Sequence, residues 1–157
     1  NKNTDVSEFS LLSAVEKTVN MVIPQFKSRS IALEINIDER LHVFHNEAAI
    51  KHCLLNILMN SRDAFDEQMD KDNCKIKIYT QEKNNATVLL IEDNAGGIAL
   101  NIIKKVFNPY FTTKEQGKGT GLGLYMTKKM IEKVKKSTVS VESQDNKTVF
   151  KIKFPVQ

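Results

Sequence analysis

The apolar residues of this chain fall into two rhythms. Phe9, Leu12, Val15, Val19 and Val22 recur every three or four positions, which predicts a helix over Ser7–Gln25. Ser7 or Asp5 would cap it, and Pro24 lies near its end. Ile31, Leu33, Ile35 and Ile37 then alternate with small or polar residues as a half-buried strand does, and Leu41–Phe44 reads as a second, short strand. Helical spacing returns from Asn46, a candidate N-cap, to Met69, through Ile50, Leu54, Ile57, Leu58, Ala64 and Phe65. Cys74–Thr80 alternates through Ile76 and Ile78, and Thr87–Ile91 is more continuously apolar. Asn84-Asn85 between them predicts a hairpin turn. A short helix is expected over Leu100–Val106, and another over Leu122–Val134 from Leu122, Met126, Met130 and Val134. Thr138–Ser143 and Thr148–Phe154 form a closing hairpin through Asp145-Asn146, and Pro155 ends it.

Three polar interruptions of this pattern carry candidate chemistry. The first is Val106–Leu124, where Gly117, Gly119, Gly121 and Gly123 alternate ahead of a helix. Glycines let backbone N–H groups approach an anion, and a helix N-terminus favours phosphate. Lys114 and Lys118 add positive charge. A mobile lid over a nucleotide phosphate and a plain flexible loop both fit that spacing. A Walker A loop is excluded, because Thr112 stands where its first glycine belongs. A Rossmann fingerprint is excluded because no strand directly precedes the glycines.

The second interruption is Asn56 and Asn60, four apart on one helical face among leucines. Two such amides need partners: either an internal hydrogen-bond network, or a hydrated metal ion and phosphate oxygens. Arg62 and Asp63 follow within a turn. The third is Asp93 at a strand end, followed by Ala95, Gly96, Gly97 and Ile98. Asp93 is placed to accept from an exocyclic amine, and Gly97 to admit a flat ring. A simple turn with a capping aspartate fits equally.

Composition sets outer bounds. At 157 residues, with 41% apolar and 27% charged residues, the chain fits a single domain over 1–157. The net charge of +4 is scattered, so no nucleic-acid partner is expected. No apolar run approaches a membrane span, so no direct membrane contact is expected. Residues Asn1–Ser10 are polar, without a signal-peptide pattern, and Cys53 and Cys74 match no metal spacing. A reducing, cytoplasmic setting is expected.

Taken in order, the constellations resemble the ATP-binding catalytic domain of sensor histidine kinases, in the superfamily of gyrase B, HSP90 and MutL. Asn56–Ala64 resembles its N box and Asp93–Ile98 its G1 box. Val106–Lys114 resembles its F box and Gly117–Leu124 its G2 box. The resemblance covers roughly Phe9 to Pro155. It implies an α+β, two-layer α/β sandwich: a mixed sheet with three long helices on one face and a glycine-rich ATP lid. By that analogy ATP and Mg²⁺ are the cofactors. Asn60 binds Mg²⁺, Asn56 lies near the phosphates, and Asp93 bonds the adenine amino group. Ala95, Gly97 and Ile98 line the adenine pocket. Gly117, Gly119, Thr120, Gly121, Leu122 and Gly123 wrap the triphosphate. Thr112, Thr113 and Lys114 belong to the lid, with Lys114 a candidate γ-phosphate contact, and Asp63 is a further nucleotide-side candidate.

The ATPase branches of the superfamily carry a glutamate four residues before the metal-binding asparagine, as a base for water. Here that position holds Asn56, and an amide accepts no proton at neutral pH. General-base help is typically worth about 10²–10⁴ in rate. Its absence favours phosphoryl transfer to a nucleophile with its own chemistry, a histidine. His42, His45 and His52 do not fit the acceptor motif of the family. The expected partners are therefore a histidine-containing dimerisation domain, of the same or a sister chain, and a response regulator downstream. A nucleotide-gated binding module without transfer, or a slow ATPase, are the alternatives.

Overall fold

The computed structural model describes residues 5–69, 71–113 and 121–156. The chain begins with strand β1 (Ser7–Ser10) and helix α1 (Leu11–Ser28), followed by strands β2 (Ala32–Asn36) and β3 (His42–His45) and helix α2 (Glu47–Glu67). Strands β4 (Lys75–Lys83) and β5 (Ala86–Asp93) form the next hairpin. The short α3 (Leu100–Ile103), α4 (Gly123–Glu132) and the hairpin of β6 (Thr138–Gln144) and β7 (Lys147–Lys153) complete the chain.

Five strands pair in the order β2-β4-β5-β7-β6, with β2 parallel to β4 and the other pairs antiparallel. The expected mixed sheet and α+β layering are present. Leu89, Ile91, Phe150, Ile152, Ile76 and Ile78 join one buried core with Val15, Val19, Val22, Ile50, Leu54, Ile57 and Leu58 of the helices. The other sheet face carries the ion pairs Lys75–Glu34, Lys147–Glu92 and Lys151–Glu142. It is a solvated surface, as a sheet covered on one side requires. Both hairpin turns lie where the asparagines predict them: Asn84, Asn85, Asp145 and Asn146 all take the left-handed conformation that asparagine and aspartate tolerate.

The start of the chain departs from the helical reading. Ser7–Ser10 is a strand, antiparallel to His42–His45, and forms a separate two-stranded sheet. Phe9 buries from either geometry, so its spacing carried no warning; the deciding partner is more than thirty residues away. Ser10, not Ser7 or Asp5, caps α1, accepting from the Ser13 N–H at 3.2 Å. The helix runs past Pro24 to Ser28 because Val22 and Phe26 continue its buried stripe. Asn46 caps α2 as predicted, its Oδ1 accepting from the Ala49 N–H at 2.9 Å.

Candidate functional site

The site is assembled where the core stripe of β5 meets the core stripe of α2. On a strand, alternate residues share a face. Leu89 and Ile91 point into the core, so the next residue on that face, Asp93, is carried under the helices. It is 4% exposed. On α2 the buried residues Ile50, Leu54, Ile57, Leu58 and Phe65 include one hydroxyl, Ser61. Ser61 Oγ donates to Asp93 Oδ2 at 2.8 Å, and the Ala95 N–H donates to Oδ1 at 3.1 Å. Burial raises the pKa of the carboxyl, the two hydrogen bonds oppose that shift, and the neighbouring Glu92 adds to it.

The turn after Asp93 is held rigidly. Asn94 Oδ1 accepts from the Lys75 N–H at 2.8 Å, and its Nδ2 donates to Asn73 O at 2.7 Å. The Gly96 N–H donates to Asn146 O at 3.1 Å. The Ile98 N–H donates to Ser143 Oγ at 2.7 Å. Gly97 has φ +75°, and a Cβ there would lie 2.7 Å from Ser143 Oγ. Glycine is therefore demanded at Gly97 by the β6–β7 hairpin itself.

On α2 the two asparagines differ. Asn56 Nδ2 donates to Thr127 Oγ1 at 3.3 Å and to Gly123 O at 3.4 Å, tying α2 to the first turns of α4. Asn60 is half-buried and has no hydrogen-bond partner among the described residues. Asp63 accepts from Arg62 at 2.9 and 3.0 Å, and Arg62 reaches Gln25 of α1. The carboxylate of Asp63 is thus engaged on its own helix.

The lid candidates Lys114, Gly117, Gly119 and Thr120 lie outside the described residues. Their flanks are described. Gly121 has φ +73°, and a Cβ there would lie 2.3 Å from the Tyr110 carbonyl carbon. The two ends of the glycine-rich segment therefore press backbone to backbone. Thr112 and Thr113 are exposed just beyond Phe111. Leu122 precedes α4 without a side-chain cap, and Gly123 opens the helix with nothing within 4 Å of a notional Cβ. A helix head without a side-chain cap suits an anion.

Over residues 45–157 the chain matches the family described as histidine kinase-, DNA gyrase B- and HSP90-like ATPase. The chain belongs to this family. It is similar to the signal transduction histidine-protein kinase AtoS of Escherichia coli K12, 33% identical over 132 residues, which are 83% of this chain and 21% of that protein. It is 30% identical over 156 residues to the sensor kinase CckA of Brucella abortus, covering 92% of this chain and 16% of that protein. The chain therefore spans about a fifth of the length of such relatives. The catalytic domain of histidine kinase ThkA, in a nucleotide-free form, superposes with a TM-score of 0.82 at 26% identity. That match covers 97% of this chain and 96% of the ThkA domain. A complex of ThkA with the response regulator protein TrrA shares the fold at a TM-score of 0.80 and 22% identity, covering 98% of this chain and 42% of that one.

Within this histidine kinase-like ATPase domain, Asp93 meets α2 at Ser61, the neighbour of Asn60, and the turn through Ala95 leads to Gly97 and Ile98, which rest against Ser143 of β6. Gly123 meets α2 through the Asn56 contact, and Gly121 lies against the Tyr110 backbone. Three supporting residues carried no assigned role in the sequence reading: Ser61, Thr127 and Ser143. Ser61 was legible as a polar residue at a buried phase of the α2 stripe. Thr127 and Ser143 hold their partners across the fold, and no local spacing marks them. Among the described residues no three His, Cys, Asp or Glu side chains gather to hold a metal ion. No helix of the described residues is long and apolar enough to cross a membrane.

Proposed function

We propose that this domain binds Mg-ATP between α2, the Asp93 turn and the start of α4. There it hands the γ-phosphoryl group to a histidine on a separate dimerisation domain, as one step of two-component signalling. The observation that carries this reading is the buried Asp93 carboxylate. Two donors hold it, and acceptor capacity remains for an adenine amino group. Ala95, Gly97 and Ile98 provide the backbone wall of the adenine pocket. Asn60 offers an amide oxygen without a partner among the described residues, and Mg²⁺ takes such hard ligands singly, alongside phosphate oxygens and water. The ion would supply charge neutralisation at the phosphates. Gly117, Gly119, Thr120, Gly121, Leu122 and Gly123 would surround the triphosphate. Lys114 would meet the γ-phosphate, with Thr112, Thr113 and Asp63 nearby. Catalysis is then positioning and electrostatics rather than proton abstraction.

The slow-ATPase reading lacks a base. Asn56 is an amide, and its N–H₂ group is already donating to Thr127 and Gly123. By analogy with the kinases it resembles, the domain works in the cytoplasm and a response regulator takes the phosphoryl group onward. The test mixes the domain and Mg-ATP with a purified histidine-bearing hairpin from the same signalling protein. Acid-labile, base-stable phosphate on the hairpin is expected. Binding without transfer would favour a nucleotide-gated module. Fast phosphate release without any hairpin would favour an ATPase.

A further inference from the structure

Ser61 is a hydroxyl in a helical stripe that is otherwise apolar, 2% exposed, and it points at the acid of the site. An alanine would complete the stripe and satisfy packing. We propose, building on the nucleotide reading above, that Ser61 is a positioning residue for purine recognition. Its hydroxyl keeps Asp93 an oriented carboxylate, so that the site takes a 6-amino purine nucleotide and rejects a 6-oxo one.

A carboxyl offers different hydrogen bonds in its two protonation states. Ionised, it only accepts hydrogen bonds; protonated, it also donates one. At position 6 itself, which the carboxyl would face, an amino purine presents a donor and an oxo purine an acceptor. The ionised acid therefore pairs with the first and repels the second, whereas the protonated acid loses that discrimination. Which form prevails is a contest between opposing effects. Burial favours the protonated form, and the Glu92 carboxylate on the same strand pushes the same way. Ser61 and the Ala95 N–H hold the charged form. The strands flanking β5 set Ile76 and Thr148 opposite Asp93, and neither carries charge. The Ala95 donor is backbone and fixed by the turn. Ser61 is the side-chain donor, and it also leaves the remaining lone pairs of Oδ2 free for a ligand.

Calorimetric titration of Mg-ATP and Mg-GTP from pH 5 to pH 8 tests this on the unaltered chain and on Ser61→Ala. The unaltered chain should prefer ATP throughout. In Ser61→Ala the ATP-to-GTP affinity ratio should fall by about tenfold, the scale of one hydrogen bond to a charged group. That fall should begin at a higher pH than in the unaltered chain, and the two ratios should converge once both carboxyls are ionised. A merely structural role would weaken both nucleotides alike. Equal losses at every pH, or superimposable ratio profiles, overturn the proposal. Should Ser61→Ala not fold, Ser61→Cys substitutes a weaker donor and should give an intermediate profile; one identical to the unaltered chain overturns the proposal. The carboxyl ¹³C shift of Asp93, followed by NMR without nucleotide, gives the deciding readout. Its midpoint should rise in the variant, and an unchanged midpoint overturns the role of Ser61. If the unaltered chain binds neither nucleotide, the reading of the site fails, while the NMR titration still judges Ser61.

Discussion

Asn60 and Asn56 stand one turn apart on α2, yet the fold uses them differently. Asn56 is engaged, bridging to Thr127 and Gly123 of α4. Asn60 is half-buried and unpartnered among the described residues. A half-buried amide in that state is left to solvent or to a ligand. Asn60→Ala should therefore leave the melting temperature close to that of the unaltered chain, since no hydrogen bond within the described residues is lost. It should weaken Mg-ATP binding about 10–100-fold, the scale of lost support at a metal site. Binding of ATP in EDTA should change far less. Calorimetry with and without Mg²⁺ separates the two, and an equal effect in both conditions would remove Asn60 from the metal role. The sequence made Asn56 and Asn60 visible as a pair through their four-residue spacing. It did not distinguish them, because the distinction depends on Thr127, seventy-one residues away from Asn56. Ser61 shows the same limit. Its phase on the helix marked it as buried, but only the strand register of β5 supplies its partner.

At the scale of elements, the glycine-rich segment was legible as a loop feeding a helix, while the duties of its glycines were not. Alternation suggested four equivalent positions. The two that are described differ sharply. Gly121 lies at φ +73° with Tyr110 backbone 2.3 Å from a notional Cβ, whereas Gly123 sits in open space at the head of α4. At Gly97, with φ +75°, the one close approach to a notional Cβ among the described residues is a side-chain oxygen, Ser143 Oγ at 2.7 Å, with Asn146 backbone at an ordinary 3.5 Å. Three alanine substitutions should then rank in order. Gly123→Ala should be neutral or stabilise by about 0.4–1 kcal/mol, because the conformation is helical and the unfolded chain loses freedom. Gly97→Ala should cost about 1–3 kcal/mol from its left-handed backbone. Gly121→Ala should be the most disruptive locally, because backbone cannot step aside as a hydroxyl can. Its effect should concentrate in hydrogen exchange at residues 110–113 and the first turn of α4. Thermal melts and exchange together check the ranking. A destabilised Gly123→Ala, or a Gly121→Ala that exchanges like the unaltered chain, would contradict it. The strand at Ser7–Ser10 belongs to the same lesson. Helical spacing around Phe9 was present, but pairing with β3 overrode it, and long-range pairing leaves no local periodicity.

Across the whole molecule, a polar seam joins α4 to α2 and to the strand that precedes α2. Asn56 bonds Thr127, Cys53 Sγ approaches Thr127 O at 3.7 Å, and His45 Nε2 meets Ile131 O at 2.9 Å. Burial pushes the Cys53 thiol up to about 11, so it stays protonated within the seam. His45 is wholly buried, and its Nδ1 accepts from the Asn46 N–H at 2.8 Å. Nε2 must then carry the single ring proton and donate to Ile131 O. A second proton on Nδ1 would abolish the Asn46 bond, and burial lowers the pKa of the ring accordingly. The unfolded chain takes up a proton near the ordinary histidine value of about 6.5, the folded chain only at lower pH, so stability falls as pH drops below about 6.5. Asp93 acts oppositely, since its raised pKa favours the folded state in acid. The informative quantity is therefore the difference between the unaltered chain and His45→Gln, in which Asp93 cancels. Glutamine keeps one donor and one acceptor but does not titrate. Melting temperatures of this pair between pH 7.5 and pH 5 should diverge in slope, with His45→Gln the flatter. Parallel slopes would mean that the ring does not resist its second proton in the fold, and that the seam joining α4 to the rest of the molecule is indifferent to it.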